Sequence, residues 1–457
     1  MKKLCLVFVM FVLSVPAFAQ SVLPPSSIKQ GPISLDQALQ IAFRQSPNIK
    51  TALDQLRRSI SGMAEAQANF MPKLDAEITH INQGPGFTFG GLDAVPTEAT
   101  TGSLSLLVPL DISSRLGFVA DIAKYHYQMD YFNLRTVSQK LIFEVTKAYY
   151  EVLRAEGQQR VAQAAVDVAA KRLKQTKDRF AAGTVADFDV TRSEVEVANL
   201  NQTLIQSKAH VVISRGTLNR VLGISADMPI DLLDTDISVA ESTADVVKYT
   251  SEAYERRPEI RGAETAVILS KKNVKLQSTG DQPSLGISSA VDYNAPAYGF
   301  TTNHTTWSAL LDLKIPIWDG GVTKAKVAQA SADVGSSEDS LEQVRLAVSL
   351  EVQTAVANLL EATERVRTAS ENVKLAEKSL RIANDRYDSG IAILVEVADA
   401  ESALTQAKFN AVQAKYDYTI ALAELQRATS TQPQAEDLLS VGDSLKRGRI
   451  IYLGIHN

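Results

Sequence analysis

The apolar positions of this 457-residue chain follow two different spacings. Across residues 141–180 and 348–387, apolar or small side chains recur at alternating intervals of four and three, which places them along one face of an α-helix. Both stretches exceed the three or four heptads that indicate a coiled coil. Because no proline interrupts residues 113–181 or 320–388, each predicts a helix about 100 Å long at a rise of about 1.5 Å per residue.

A glycine ends each of these long patterns. After Gly183 and after Gly390 the same spacing resumes, over residues 190–211 and 397–425, and predicts a second helix running back along the first. Glycine is favoured where a helix ends because it adopts positive φ without strain. Each half of the chain therefore predicts a long helical hairpin with its turn at the glycine.

The chain repeats itself. Residues 179–183 match residues 386–390 at an offset of 207, and an offset of 211 carries Pro47 onto Pro258. Each of these prolines interrupts a shorter helical pattern, which is expected to break or kink there. We interpret the offsets as an internal duplication. The predicted boundaries are 35–222 for the first copy, 223–245 for a linker, 246–429 for the second copy and 430–457 for a C-terminal tail.

Between the short and long helices of each copy, the period changes to two. Apolar residues then alternate with polar ones, as in a strand with one apolar face. We predict two strands within residues 73–110 and two within 284–316, with surface links at 83–102 and 294–305. Strands of this length suit a tilted crossing of a bilayer core, although a hairpin packed on a soluble core has a similar pattern.

The first nineteen residues predict export. Lys2 and Lys3 precede a short apolar run, and Ala17 and Ala19 offer a cleavage site, as in a secretory signal peptide. The run is too short for a bilayer core, which needs about 20 residues. Because the only cysteine, Cys5, lies in this segment, the exported chain is expected to have neither a disulfide nor a cysteine nucleophile.

Export and the polar residues on the opposite strand face favour membrane strands over a soluble hairpin. Four strands are too few for a barrel, since the smallest have about eight. Unpaired strand edges are not tolerated in lipid, so the pattern predicts an oligomer.

Composition excludes several functions. The chain has 47 Lys and Arg against 52 Asp and Glu, a net charge of -5, without the strongly basic character of a nucleic-acid-binding protein. Five scattered histidines give no metal-ligand spacing, and no nucleophile or phosphate-loop motif indicates an enzyme. The sequence predicts no catalytic residue, no metal and no cofactor.

Together these features resemble the TolC-like outer-membrane efflux protein family (outer membrane factors) over nearly the whole exported chain. The more specific marks are two Arg-aromatic-x-x-Gly turns, followed by Asp189-Val190 and by Glu396-Val397, and the passage from the last strand into a helix through residues 315–321. The resemblance implies a mainly α fold with membrane β-structure. Duplicated antiparallel helical hairpins would form an α-barrel, and four transmembrane strands per chain would close a pore by trimerisation.

The resemblance also implies partners. A homotrimer would hold a twelve-strand barrel in outer-membrane lipid above a periplasmic tunnel, whose turns meet a periplasmic adaptor (membrane fusion) protein tied to an inner-membrane pump. Such a trimer is a passive conduit of a tripartite efflux or type I secretion system. The alternative is a secreted or surface structural coiled coil without a pore, which would not need the strands.

The acidic residues after the second turn are candidates for a pore constriction. Glu396 and Asp399 are three apart and share a helix face, and the resemblance places them at the narrow periplasmic mouth, with Asp189 as a further candidate. Rings of acids favour cations, although acids in a first helical turn also complement the helix dipole. At residue 392, where some family members carry a basic residue that ties neighbouring helices shut, this chain has alanine.

The resemblance assigns adaptor contact to the two turns, at Phe180 and Gly183 in the first and at Tyr387 and Gly390 in the second. Five aromatic residues of the predicted loops and last strand fit a belt or loop tips at the bilayer surface. Ordinary loop packing is the alternative for all but the first of them. These residues are Trp307, Phe87, Phe89, Tyr298 and Phe300.

Overall fold

A computed structural model describes residues 31–90, 92–234, 245–297 and 303–432. The predicted signal peptide, residues 235–244 of the predicted linker, most of the predicted tail, Tyr298 and Phe300 lie outside the described residues. The helices are α1 (Leu35–Gln45), α2 (Pro47–Ala68), α3 (Arg115–Ala181), α4 (Asp187–Leu222), α5 (Val246–Arg256), α6 (Pro258–Gln277), α7 (Val322–Asp388) and α8 (Leu394–Ala428). The strands are β1 (Lys73–Asn82), β2 (Phe87–Phe89), β3 (Leu92–Val95), β4 (Glu98–Leu110), β5 (Ser284–Ala295) and β6 (Thr305–Lys314).

Two long helical hairpins dominate the molecule, as predicted. Helices α3 and α7 have 67 residues each, α3 packs along α4, and α7 packs along α8. The predicted 4-3 positions are largely buried, and many of them are alanine, which lets the helices approach closely. Among the described helices, none has the length and apolar content needed to cross a bilayer.

The two hairpins lie side by side because α3 also packs on α8. At Gly157 of α3, a Cβ atom would lie 2.7 Å from the Val412 side chain of α8, so only glycine fits there without a shift. Helix α3 therefore carries a second buried stripe that the single predicted seam did not include. Its members are Ile142, Thr146, Tyr149, Leu153, Gly157, Ala165 and Arg172.

The shorter helices break at the prolines, as predicted. Helix α1 ends at Gln45, and Pro47 is the first residue of α2; Pro258 likewise begins α6. Proline is tolerated at a first helical position because its missing N–H has no intrahelical partner there. Helix α2 packs on α3, and α6 packs on both α3 and α7.

The first long helix also holds the segments at the two ends of the first copy. The Tyr149 hydroxyl lies 3.0 Å from the carbonyl oxygen of Ile33 and 2.7 Å from that of Leu233, and the Tyr149 side chain is buried. Ile33 and Leu233 are themselves joined by a backbone hydrogen bond. This contact attaches the start of the described chain and the beginning of the linker to α3.

Four strands form one antiparallel sheet in the order β1-β4-β5-β6. The register aligns apolar positions across all four strands: Leu104 lies opposite both Ala76 and Val291, and Val291 lies opposite Trp307. Because strand side chains alternate between faces, the residues on either side of these positions, such as Ser105, belong to the other, mainly polar face. The apolar face is exposed in the single chain.

The predicted link at 83–102 is wrong in part. Strand β4 begins at Glu98 because its pairing with β1 continues to Asn82, and β2 and β3 form a separate two-stranded hairpin within the link. Gly90, with φ of +60°, lies between those two short strands. The threonine-rich start of β4 has no apolar alternation, so its strand character was not visible in the hydrophobic pattern.

Candidate functional site at the helical turns

The two long hairpins turn with the same backbone geometry. Gly183 and Gly390 have φ of 73° and 75°, in the left-handed region that favours glycine, as predicted. The N–H after each glycine donates to a carbonyl five residues earlier, from Thr184 to Arg179 at 3.0 Å and from Ile391 to Arg386 at 2.9 Å. These bonds satisfy carbonyl groups that the helix ends would otherwise leave unpaired.

In the second turn, the two predicted acids have different surroundings. Glu396 Oε2 lies 3.1 Å from Nη1 of Arg386, which comes from the last turn of α7. Asp399 is exposed and has no ion pair among the described residues. Both carboxylates lie near the start of α8, but only that of Glu396 is neutralised by an adjacent guanidinium.

In the first turn, Asp189 and Arg192 occupy the positions equivalent to Glu396 and Asp399. Arg179 is the equivalent of Arg386, but it does not pair with Asp189. Its guanidinium extends to the second hairpin, where Nη2 lies 3.7 Å from Asp388 Oδ1 and the guanidinium carbon lies 4.9 Å from the centre of the Tyr387 ring. The duplication thus gives two arginines with equivalent positions and different partners.

About two helical turns from Arg179, further from the tip of the hairpin, Arg172 joins three helices. Its guanidinium is 3.8 Å from Glu196 of α4 and in direct contact with Glu401 of α8. Burial lowers the pKa of Arg172, whereas Glu196 and Tyr387 raise it, and a guanidinium remains charged in either case. Sequence reasoning missed this residue because it belongs to the second buried stripe of α3, seven residues after Ala165.

The predicted adaptor-contact and membrane-surface residues are mostly exposed. Phe180 is exposed beside the first turn, whereas Tyr387 is partly covered by Arg179. Trp307 is exposed in β6, and Phe87 and Phe89 are exposed in β2. No group of His, Cys, Asp and Glu able to hold a metal ion is present within the described residues.

The sequence profile of the outer membrane efflux protein family matches residues 38–224 and 249–431. This chain therefore belongs to the outer membrane efflux protein family, which confirms the predicted resemblance. It is 24% identical to the outer membrane protein TolC of Vibrio cholerae, over 94% of this chain and 98% of that protein. It is 22% identical to TolC of Escherichia coli K12, over 92% and 87% of the two chains.

Solved structures show the same fold. The outer-membrane channel OprN aligns with a TM-score of 0.75 at 20% identity, covering 86% of this chain and 89% of that one. The outer membrane protein VceC of Vibrio cholerae aligns with a TM-score of 0.73 at 17% identity, covering 86% and 95%. The protein is an outer-membrane efflux channel component with a large periplasmic portion.

Proposed function

We propose that this chain is one third of a passive conduit from the periplasm to the exterior, serving a tripartite efflux or type I secretion system. The four-stranded sheet carries this proposal, because it has one continuous apolar face and two edges without a partner strand in the described chain. Backbone groups left unpaired in lipid are costly, so such a sheet is stable in a membrane only when its edges are closed.

Closure requires other copies of the chain. Strands β1 and β6 are the two edges of the sheet, and β6 of one copy is expected to pair with β1 of the next. Three copies of four strands give a twelve-strand barrel. The exposed apolar face, which includes Leu104 and Trp307, faces lipid, and the mainly polar face, which includes Ser105, lines the lumen.

The helical hairpins support the same symmetry. Helices α3 and α8 pack together, which leaves α4 and α7 with faces available to neighbouring copies. Both outer helices carry large exposed apolar residues. These are Val195, Ile205, Val212 and Ile213 on α4, and Leu346, Leu350 and Leu375 on α7. Ile205, Val212 and Ile213 share a face of α4, and Leu346 and Leu350 share a face of α7. Exposed apolar faces of this kind are expected at an interface, so we infer a twelve-helix tunnel built from six hairpins.

The periplasmic adaptor contacts the turns in this proposal, and an inner-membrane pump supplies the energy. Phe180 and Phe188 are exposed on either side of Gly183. Because the exported chain is expected to contain no cysteine, single cysteines introduced at residues 180–188 and 387–394 can be cross-linked to an adaptor without background. Cross-links that avoid both segments would refute this contact.

In this proposal, the narrow periplasmic mouth lies at the beginning of α4 and α8, the helices that follow the two turns. We assign Glu396 and Asp399, with Asp189 as a further candidate, to its acidic lining, where a ring of carboxylates favours cations. Two relatives are named for pyoverdine export and for toxin and drug export. Export is the activity we propose here, with the cargo selected by the pump.

Adjacent substitutions in β4 test the assignment of the two sheet faces. Leu104→Arg places a charge on the lipid face, at a cost of about 2–4 kcal/mol per copy near the bilayer centre, whereas Ser105→Arg places the same charge in the lumen. We expect Leu104→Arg to abolish the heat-modifiable oligomer in outer-membrane fractions, and Ser105→Arg to preserve it. Equal effects of the two variants, or a soluble filament from the unmodified protein, would favour the structural coiled coil.

A further inference from the structure

The charged residues at the turns do not act equally. Within the second turn, Glu396 is paired with Arg386 at 3.1 Å, while Asp399 has no ion pair among the described residues. In the first turn, the positions equivalent to these two acids hold Asp189 and Arg192, whose formal charges cancel.

We propose that Arg386 is a specificity-determining residue that cancels the charge of Glu396, so that Asp399 alone sets the cation preference of the periplasmic mouth. This inference rests on the proposed function, because it requires that the turns line a pore. It differs from a simple acid ring, in which Glu396 and Asp399 contribute alike.

The partner of Arg179 supports this division of roles. If both arginines only capped their own turns, Arg179 would pair with Asp189 as Arg386 pairs with Glu396. Instead, Arg179 pairs with Asp388 and stacks on Tyr387 in the neighbouring hairpin. The charges of Arg179 and Asp388 also cancel, so Glu396, Asp388 and Asp189 each have an arginine of opposite charge nearby at the turns, whereas Asp399 has none.

The Arg386–Glu396 pair affects ion permeation through the sum of its charges, and not by stabilising the turn. Both side chains are partly exposed, and an ion pair of this kind contributes little to stability. A permeating ion nevertheless experiences the sum of both charges, because they are separated by less than the Debye length of about 8 Å at physiological ionic strength. Substituting Arg386 is therefore expected to alter ion selectivity without unfolding the turn.

Ion selectivity of the reconstituted protein tests the inference. Reversal potentials in a KCl gradient are measured across planar bilayers for the unmodified protein and for three variants: Asp399→Asn, Arg386→Gln, and the double variant Arg386→Gln/Glu396→Gln. Three charges about 8 Å from the pore axis, screened over one Debye length, change the permeability of a cation by somewhat less than threefold and that of an anion by the inverse factor, so the ratio of cation to anion permeability changes by about sevenfold.

We expect Asp399→Asn to lower this ratio about sevenfold, Arg386→Gln to raise it about sevenfold, and the double variant to leave it unchanged. Arg367→Gln is the matched control, because Arg367 pairs with Glu364 on its own helix, 19 residues and about 28 Å from Arg386 along α7. Its ratio should equal that of the unmodified protein.

The outcomes separate this inference from the proposed function. If Arg386→Gln has no effect and the double variant lowers the ratio as much as Asp399→Asn, Arg386 does not cancel Glu396, and the inference fails while the acidic mouth stands. If the protein conducts but all three variants match the unmodified protein, both the acidic mouth and the inference are refuted. If the protein does not conduct at all even when the adaptor is supplied, the proposed conduit itself is wrong.

Discussion

The Tyr149 hydroxyl offers a quantitative test of how the ends of the first copy are held. In Tyr149→Phe, the carbonyl oxygens of Ile33 and Leu233, at 3.0 and 2.7 Å from the hydroxyl, lose this donor. A buried hydrogen bond contributes about 0.5–1.5 kcal/mol net. We expect the variant to lose about 1 kcal/mol of stability and to exchange the amide hydrogen of Leu233 faster.

Titration of Tyr149 also makes the stability of the protein depend on pH. Burial raises the pKa of Tyr149 from 10.0 to about 12. Between those values the unfolded chain loses the phenolic proton while the folded chain keeps it, so the stability of the unmodified protein is unaffected by this group below pH 10 and falls as the pH rises towards 12. The loss integrates to about 3 kcal/mol, which is more than the hydrogen bond itself contributes because the folded state must also keep the buried phenol uncharged, and it should be absent from Tyr149→Phe.

Unfolding in detergent, followed by circular dichroism from pH 8 to pH 11.5, compares the two proteins. Tyr254→Phe is the control, because its hydroxyl also bonds a carbonyl oxygen, that of Arg345 at 3.3 Å, but the side chain is exposed. If stability declines at alkaline pH to the same extent in the unmodified protein and in Tyr149→Phe, this account of the Tyr149 contact is refuted.

Two further predictions concern helix packing and helix capping. Gly157→Leu should destabilise the α3–α8 contact by about 1–3 kcal/mol through overpacking, whereas Gly335→Leu, where a Cβ meets no atom within 4 Å, should have a much smaller effect in the same thermal denaturation. Asp319 accepts the N–H groups of Gly321 and Thr323 at 2.9 and 2.7 Å, and its pKa is lowered, chiefly by the Thr323 side chain. The stabilisation of the start of α7 by the Asp319 carboxylate should be complete above pH 3.8 and lost as the pH falls below that value. Asp319→Ala should therefore increase hydrogen exchange at the start of α7 at neutral pH, but it should add little in strong acid.

Periodic patterns made most of the fold predictable. The 4-3 spacing predicted the buried faces of α3 and α7, because side chains at that spacing share one side of a helix. The glycine after each pattern predicted where the helix ends, because glycine adopts positive φ, and both Gly183 and Gly390 do so. The alternation around Leu104 likewise predicted the strands, because in a two-residue period one face is apolar throughout.

Features that depend on contacts between distant segments were not predictable. Arg172 is buried because α4 and α8 both pack near it, and its sequence neighbours give no sign of this. The different partners of Arg179 and Arg386 depend on how the hairpins lie against each other, since the motifs around the two arginines are nearly the same. The site was therefore located by its motif, but the distribution of its charges required the structure.

The central claim is that copies of this chain close a pore that spans the outer membrane. The most direct measurement is the single-channel conductance of the purified, unmodified protein in planar bilayers, with the mass of the detergent-solubilised complex determined on the same sample. The account predicts a three-chain mass and discrete openings that favour cations. A monomer, or a three-chain assembly that leaves the bilayer non-conducting even when the adaptor is supplied, would contradict it.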